Sequence, residues 1–197
     1  MMGISEIEAS GSVWGKVREV MIEETQAFEN RVLETLNSGV TVRSFMLKAV
    51  DLLAEAVSIL MLQVFRKDDY AVKYAVEPLM TGTGPLGDLS VRLKLIYGLG
   101  MISRKEYEDT ELLMALGEEL THDTHEYRFT DDEILGPIGE LHCVNTLPSA
   151  PDLPSGGDPA DQLLISMQQQ RYQQMVRSTL VLSLTELISQ ISLKKAF

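Results

Sequence analysis

Apolar residues recur every three or four positions along most of the chain, which is the spacing of amphipathic α-helices. Residues 17–36 predict a first helix, and Asn37-Ser38-Gly39 supplies its stop. A second helix is predicted from Thr41 to Phe65, where apolar positions cover most of the circumference. Because such a helix is usually buried on several sides, we expect it at the centre of a bundle.

The middle of the chain predicts two shorter helices, at residues 70–79 and 90–99. The second segment has two interpretations, because the alternation of Val91, Leu93 and Leu95 also fits a β-strand. We favour a helix, since the neighbouring segments are helical and no partner strand is apparent in the sequence.

Two capping boxes predict where the next helices begin. Ser103 is followed three positions later by Glu106, and Thr130 is followed in the same way by Glu133. In this motif the side chain of each residue accepts a hydrogen bond from the backbone N–H of the other. The first box opens a helix that is predicted to continue to Leu120.

The C-terminal part combines a linker with a long helix. Residues 146–160 are rich in Pro and Gly and predict a linker, whereas residues 161–197 contain no proline. One stripe at spacings of four, four, three and four runs along this last segment: Val176, Leu180, Leu184, Leu187 and Ile191. We predict an all-α multi-helix bundle of residues 17–145, after a flexible segment at residues 1–16. The C-terminal helix should pack on this core or on a neighbouring subunit, so we expect a homo-oligomer.

Acidic residues are concentrated in one stretch. The 197-residue chain has a formal net charge of −12, and residues 106–140 hold twelve acidic residues against the single base Arg128. Such a field repels nucleic-acid phosphates, and no helix-turn-helix, zinc finger or basic tail is evident. The stretch is either a solvated face or a surface for a protein partner. Six of its residues are candidates for contacts with a partner: Glu108, Asp109, Glu111, Asp131, Asp132 and Glu133.

Signals for catalysis or cofactor binding are few, and we expect neither a catalytic residue nor a cofactor. The glycine-rich loop at residues 82–88 lacks the Lys-Ser/Thr of a phosphate-binding loop. Cys143, next to His142, fits a buried structural thiol better than a nucleophile. His122 and His125 are weak candidates for metal ligands, and we prefer to interpret them as part of a solvated helix end.

The compartment expected from the sequence is the cytoplasm. The first 16 residues lack the basic start and apolar stretch of a secretory signal. Apolar runs in the middle of the chain, such as Ile59 to Leu62, are far shorter than the ~20 residues of a membrane helix. A single cysteine fits a reducing environment.

Several long blocks of this sequence are distinctive: TQAFENRVLETLNSG, LQVFRKDDYAVKYAVEPL, GPLGDLSVRLKLIYGLG, EYEDTELLMAL, FTDDEILGPIGELHCV and RYQQMVRSTLVLSLTELISQISLKKAF. Together they resemble the mannitol operon repressor family of enteric and related bacteria, from residue 24 to the end apart from the linker. The resemblance implies an all-helical, non-enzymatic repressor of mannitol-utilisation genes that has no standard DNA-binding fold.

Repression through a protein partner is therefore the expected mechanism. Mannitol enters such bacteria through the phosphotransferase system, whose small phosphocarrier presents a basic, partly apolar face. The acidic stretch complements that face in charge, so we expect the phosphocarrier as the partner. Direct binding of operator DNA, through a helix not recognisable in the sequence, is the alternative.

A more distant likeness concerns residues 93–123, which are similar to helical HEPN domains. In those domains a ribonuclease site combines an Arg with a His that follows after four to six intervening residues. His122 occupies the position of that His, but residues 115–117, where the Arg would stand, are Ala, Leu and Gly. The likeness therefore implies shared ancestry without nuclease activity.

Overall fold

The structure, a computed structural model, describes Glu23 and residues 25–65, 70–152 and 158–194. Within these ranges the chain forms seven α-helices and no strand, which confirms the all-α prediction. The helices are α1 at residues 25–37, α2 at Val42–Val64, α3 at Tyr70–Met80, α4 at Leu89–Gly98, α5 at Arg104–His122, α6 at Asp132–Gly139 and α7 at Pro159–Leu193. The segment for which two interpretations were open is thus helical, as α4. Residues 1–16, predicted to be flexible, lie outside the described residues.

Helix α2 lies at the centre of the bundle, as its apolar circumference predicts. It packs against α4, α5 and α7. Phe45, on its first turns, is fully buried and meets the ring of Phe129 edge-to-face, with 5.4 Å between the ring centroids. Full burial of one large apolar side chain contributes about 2 kcal/mol, so this helix supplies a large share of the hydrophobic stabilisation.

Helix α7 crosses the whole core. Its 35 residues span about 52 Å, and its predicted apolar stripe is buried against α2. The helix begins at Pro159, inside the segment expected as linker, because proline suits the first turn of a helix, where its missing N–H is not needed. Helix α7 is therefore the longest element that the structure describes.

The corner between α1 and α2 requires a glycine. A Cβ atom on Gly39 would lie 2.6 Å from Cα of Phe45, which no side chain tolerates. Arg177 of α7 closes this corner, because its guanidinium donates hydrogen bonds to the carbonyl oxygens of Asn37 and Gly39, at 2.5 and 3.1 Å. The ends of α1 and α2 are thereby joined to the C-terminal helix.

Of the two predicted capping boxes, one is confirmed and one is wrong. At the start of α5, the Ser103 side chain accepts from the backbone N–H of Glu106, whose carboxylate accepts from the N–H of Ser103. At the start of α6, the N-cap is Asp131 rather than Thr130, and it makes no side-chain cap hydrogen bond. Asp131 accepts instead from the backbone N–H of Arg128 at 2.7 Å, and this bond closes the preceding turn.

Candidate partner-docking surface

The structure divides the six acidic candidates between two places. They are Glu108, Asp109 and Glu111 in the first half of α5, and Asp131, Asp132 and Glu133 at the start of α6. The two places adjoin different residues of α7. Glu186 lines one surface depression together with Asp109, and Gln173 lines another together with Asp131. These two residues are 13 positions apart, about 20 Å along the axis of α7, so Asp109 and Asp131 adjoin different parts of that helix.

Asp109 is buried, which corrects the expectation that it contacts a partner. Only 2% of the residue is exposed, and its carboxylate accepts hydrogen bonds from the backbone N–H groups of His142 and Cys143, at 2.7 and 2.8 Å. The same carboxylate lies 2.9 Å from Nδ1 of His142. Asp109 therefore fastens the segment after α6 to α5. Burial, together with the charge of Asp109, raises the pKa of Cys143 to about 12, so this thiol stays protonated.

Four glutamates share the solvent-facing side of α5, and we call them the α5 acidic face: Glu108, Glu111, Glu118 and Glu119. Residues three, four and seven positions apart lie on the same side of a helix, and the side chain between them on this face is the small Ala115. Arg104 stands at one end of the face, with Nε 2.6 Å from Oε1 of Glu108. Glu118 and Glu119 belong to the acidic stretch but not to the six candidates, although their spacing from Glu111 indicates the same helix face.

Two tyrosines border the α5 acidic face. The rings of Tyr97 in α4 and Tyr107 in α5 are stacked, with 4.5 Å between their centroids. The Tyr107 hydroxyl donates a hydrogen bond to Glu111, and this bond is the main reason that its pKa is raised to about 12. The face therefore offers aromatic surface next to carboxylates.

The acidic residues at the start of α6 have a different setting. Asp132 and Glu133 are exposed, whereas Asp131 is partly buried and bonded to the preceding turn. Thr130 and Asp131 face the first part of α7 across a depression that Ser166 and Gln173 also line. This group is smaller than the α5 acidic face and has no stacked aromatic pair beside it among the residues described.

The two candidate metal ligands lie at and after the end of α5. His122 is the last residue of the helix, His125 lies in the following loop, and both are exposed. The His125 backbone N–H donates to Asp123 at 2.8 Å. A hydrogen bond from Tyr127, together with this one, lowers the pKa of Asp123. In the part of the chain that the structure describes, no three His, Cys, Asp or Glu side chains are grouped so as to hold a metal ion.

Comparison with known proteins gives a family for this helical fold. A family profile with the description "mannitol repressor" matches residues 28–192 of the chain. The chain belongs to the mannitol repressor family. A mannitol operon repressor of Escherichia coli strain K12 is 73% identical over 179 residues, which are 91% of this chain and 90% of that protein. The mannitol repressor resemblance drawn from the sequence is thereby confirmed.

A solved member of the mannitol repressor family shares the fold. The X-ray structure of the MtlR–HPr complex from Escherichia coli matches with a TM-score of 0.78 and 74% identity, over 85% of this chain and 99% of that chain. A more distant relative, named Fumarase E, from Shigella flexneri, is 28% identical over 83% of this chain and 96% of its own length. No helix in the described ranges of this family member has the length and apolar character to cross a membrane.

Proposed function

We propose that this chain represses mannitol-utilisation genes by binding a phosphocarrier of the HPr type, with the α5 acidic face as the docking surface. The observation that carries the proposal is that three exposed glutamates and the half-buried Glu108 lie on one side of α5, next to the stacked Tyr97 and Tyr107. A basic, partly apolar partner complements this surface in both charge and polarity. The solved complex of the Escherichia coli relative with HPr supports the choice of partner.

Charge gives this docking a measurable signature. Exposed carboxylates attract a basic partner over a distance of about one Debye length, which is roughly 8 Å at physiological salt. The association rate should therefore fall as salt is added, whereas the apolar contacts keep the dissociation rate nearly constant. Because the phosphocarrier and the regulated genes are cytoplasmic, the proposal places the chain in that compartment.

Two charge-reversed variants test the docking surface. Glu111→Lys with Glu118→Lys alters the α5 acidic face, and Asp132→Lys with Glu133→Lys is the matched control. All four residues are exposed, and both variants change the net charge by the same amount. Titration calorimetry with purified HPr should show at least about tenfold weaker binding for the α5 variant and less than about twofold for the control.

The control also defines what would contradict the proposal. Equal weakening by both variants would mean that only the total charge matters. Weakening by the α6 variant alone would move the docking surface to the start of α6. Circular dichroism of each variant shows that a loss of binding is not a loss of fold.

We also propose that the chain is not an enzyme, although one distant relative is named Fumarase E. Two observations support this: Asp109 holds His142 in a structural contact, and no arginine precedes His122 at residues 115–117. Assays of fumarate hydration and RNA cleavage should give no turnover above buffer. Turnover that disappears in His142→Ala or His122→Ala would contradict the proposal.

A further inference from the structure

Helix α7 carries a second apolar stripe on the side opposite the core. Its members fall nearly on one line, because 7, 11 and 18 residues are close to two, three and five helical turns. We call them the outer stripe: Leu164, Met175, Leu182 and Leu193, with exposed fractions of 46, 45, 66 and 47%. Met167, which is 60% exposed, lies beside the same line. A row of exposed large apolar side chains is typical of an interaction surface.

The outer stripe is long enough for a stable interface. From Leu164 to Leu193 the helix rises about 44 Å. A standard protein interface covers about 800 Å² on each partner, and a circular patch of that area is about 32 Å across. The length of the stripe therefore matches a contact between two macromolecular surfaces rather than a site for a small ligand.

The C-terminal half of the outer stripe borders a groove between α1 and α7. Leu33 of α1 faces Leu182 and Leu193 across this groove. Ser189 also lines it, and is 6% exposed with an Oγ that has no hydrogen-bond partner among the described residues. Its Oγ is closed off from solvent, so the groove offers an occupant the apolar area of these leucines rather than a free hydroxyl.

The order of side chains along the stripe is complementary to its own reverse. When the helix is laid against a reversed copy of itself, with the midpoint between Ser178 and Thr179 in common, apolar residues lie level with apolar residues and a cation lies level with an anion. The pairs are Leu164 with Leu193, Met175 with Leu182, and Arg171 with Glu186. A surface that matches its own reverse is what a two-fold symmetric contact requires.

We propose that the outer stripe is the interface of a homodimer in which the α7 helices of two copies pack antiparallel. Each contact then occurs twice, so that Arg171 lies level with Glu186 of the partner subunit at both ends. Leu164 enters the groove that Leu33 lines in the partner subunit. The small side chains of Ser178 and Thr179 lie at the symmetry axis and allow close approach of the two helices. This inference does not depend on the proposed function, because it uses none of the α5 acidic face.

Light scattering after size exclusion measures the dimer directly. The full chain of 21.9 kDa should give a mass of about 44 kDa at micromolar concentration. Leu182→Glu places two charges in the apolar centre of the interface and should raise the dimer dissociation constant by at least about a hundredfold. Val91→Glu is the matched control, because Val91 is 41% exposed on α4, away from the stripe, and should leave the mass unchanged.

Charge reversal tests the antiparallel register. Arg171→Glu alone, or Glu186→Arg alone, brings two like charges together at each end of the interface. Either variant should therefore weaken the dimer about tenfold. The double variant restores opposite charges and should return the dissociation constant to within about threefold of the original. A parallel or shifted pairing of the helices would give no such rescue.

Three results would overturn the proposal. The first is a mass of about 22 kDa at protein concentrations of about 100 µM, which is well above the dissociation constants of stable dimers. The second is a dimer that Leu182→Glu leaves intact, and the third is a double charge reversal without rescue. If the chain is monomeric and Leu182→Glu abolishes HPr binding, the occupant of the stripe is the phosphocarrier and the homodimer is wrong.

Discussion

Two carboxylates of α5 show how single acidic residues stabilise a fold that is otherwise covered with negative charge. Asp109 accepts hydrogen bonds from two backbone N–H groups of the segment after α6. Glu106 accepts from the backbone N–H of Ser103 and from the ammonium group of Lys194, beyond the end of α7. Each side chain joins α5 to a distant part of the chain.

Replacement of Asp109 should destabilise the protein strongly. Asp109→Ala removes the acceptor of the partly buried N–H groups of His142 and Cys143, which we expect to cost about 2 kcal/mol of unfolding free energy. Asp132→Ala, at an exposed position, should change it by less than about 0.5 kcal/mol. Urea denaturation at neutral pH compares the two variants. Equal stabilities would show that Asp109 is not a structural residue.

Glu106 should make stability depend on acid. Burial raises the pKa of Glu106, but hydrogen bonds from Lys194 and Ser103 outweigh it, so the pKa lies below the ordinary 4.5. A carboxyl group with a lowered folded pKa stabilises the protein fully above its ordinary pKa and loses that contribution as pH falls through the folded value. Glu106→Ala should therefore cost about 1–2 kcal/mol at pH 7, with screening of Lys194 by solvent included. The difference from the parent protein should shrink below about pH 4, as urea titrations at both pH values will show.

At the scale of elements, helix ends depend on competition between adjacent polar residues. Ser103 has no competitor, and its capping box forms as predicted. Thr130 is followed by Asp131, which takes the N-cap position and bonds to the N–H of Arg128. Sequence spacing identifies the two possible caps, but the path of the preceding loop selects between them.

Two helical glycines should respond in opposite ways to larger side chains. A Cβ on Gly117 would lie 3.0 Å from Cγ2 of Val50, so Gly117→Val forces α5 away from α2 and should cost about 2 kcal/mol. A Cβ on Gly98, in the last turn of α4, meets nothing within 4 Å, and Gly98→Ala should add about 0.5–1 kcal/mol because alanine favours the helix. Thermal unfolding of both variants measures the two signs. A stabilised Gly117→Val would mean that α2 and α5 are not closely packed.

At the scale of the whole molecule, charge opposes direct contact with DNA. The net charge of −12 repels phosphates, and the α5 acidic face concentrates part of it on one side. The guanidinium groups of Arg43 and Arg177 donate hydrogen bonds to backbone carbonyl groups, which ties these two bases to the fold. The whole-molecule field therefore favours a basic protein partner.

Operator DNA should not bind to the protein on its own. Fluorescence anisotropy of labelled mannitol-operon DNA should show no saturable binding up to about 10 µM protein at low salt, where electrostatic attraction is strongest. Tight binding that weakens with added salt would support the alternative of direct operator recognition. In that case a basic surface formed by the fold, rather than a sequence motif, would carry the contact.

The sequence by itself determined the helical class, the central position of α2, the long C-terminal helix and the family. These properties follow from periodicity and from contiguous blocks, which are local. Only the tertiary structure decided that Asp109 is buried while Glu111 is exposed, and that Asp109 and Asp131 adjoin different parts of α7. It also decided which stripe of α7 faces the core and which stays outside. The physical reason is that burial and separation depend on how distant segments pack, and the spacing of residues along one chain does not contain that information.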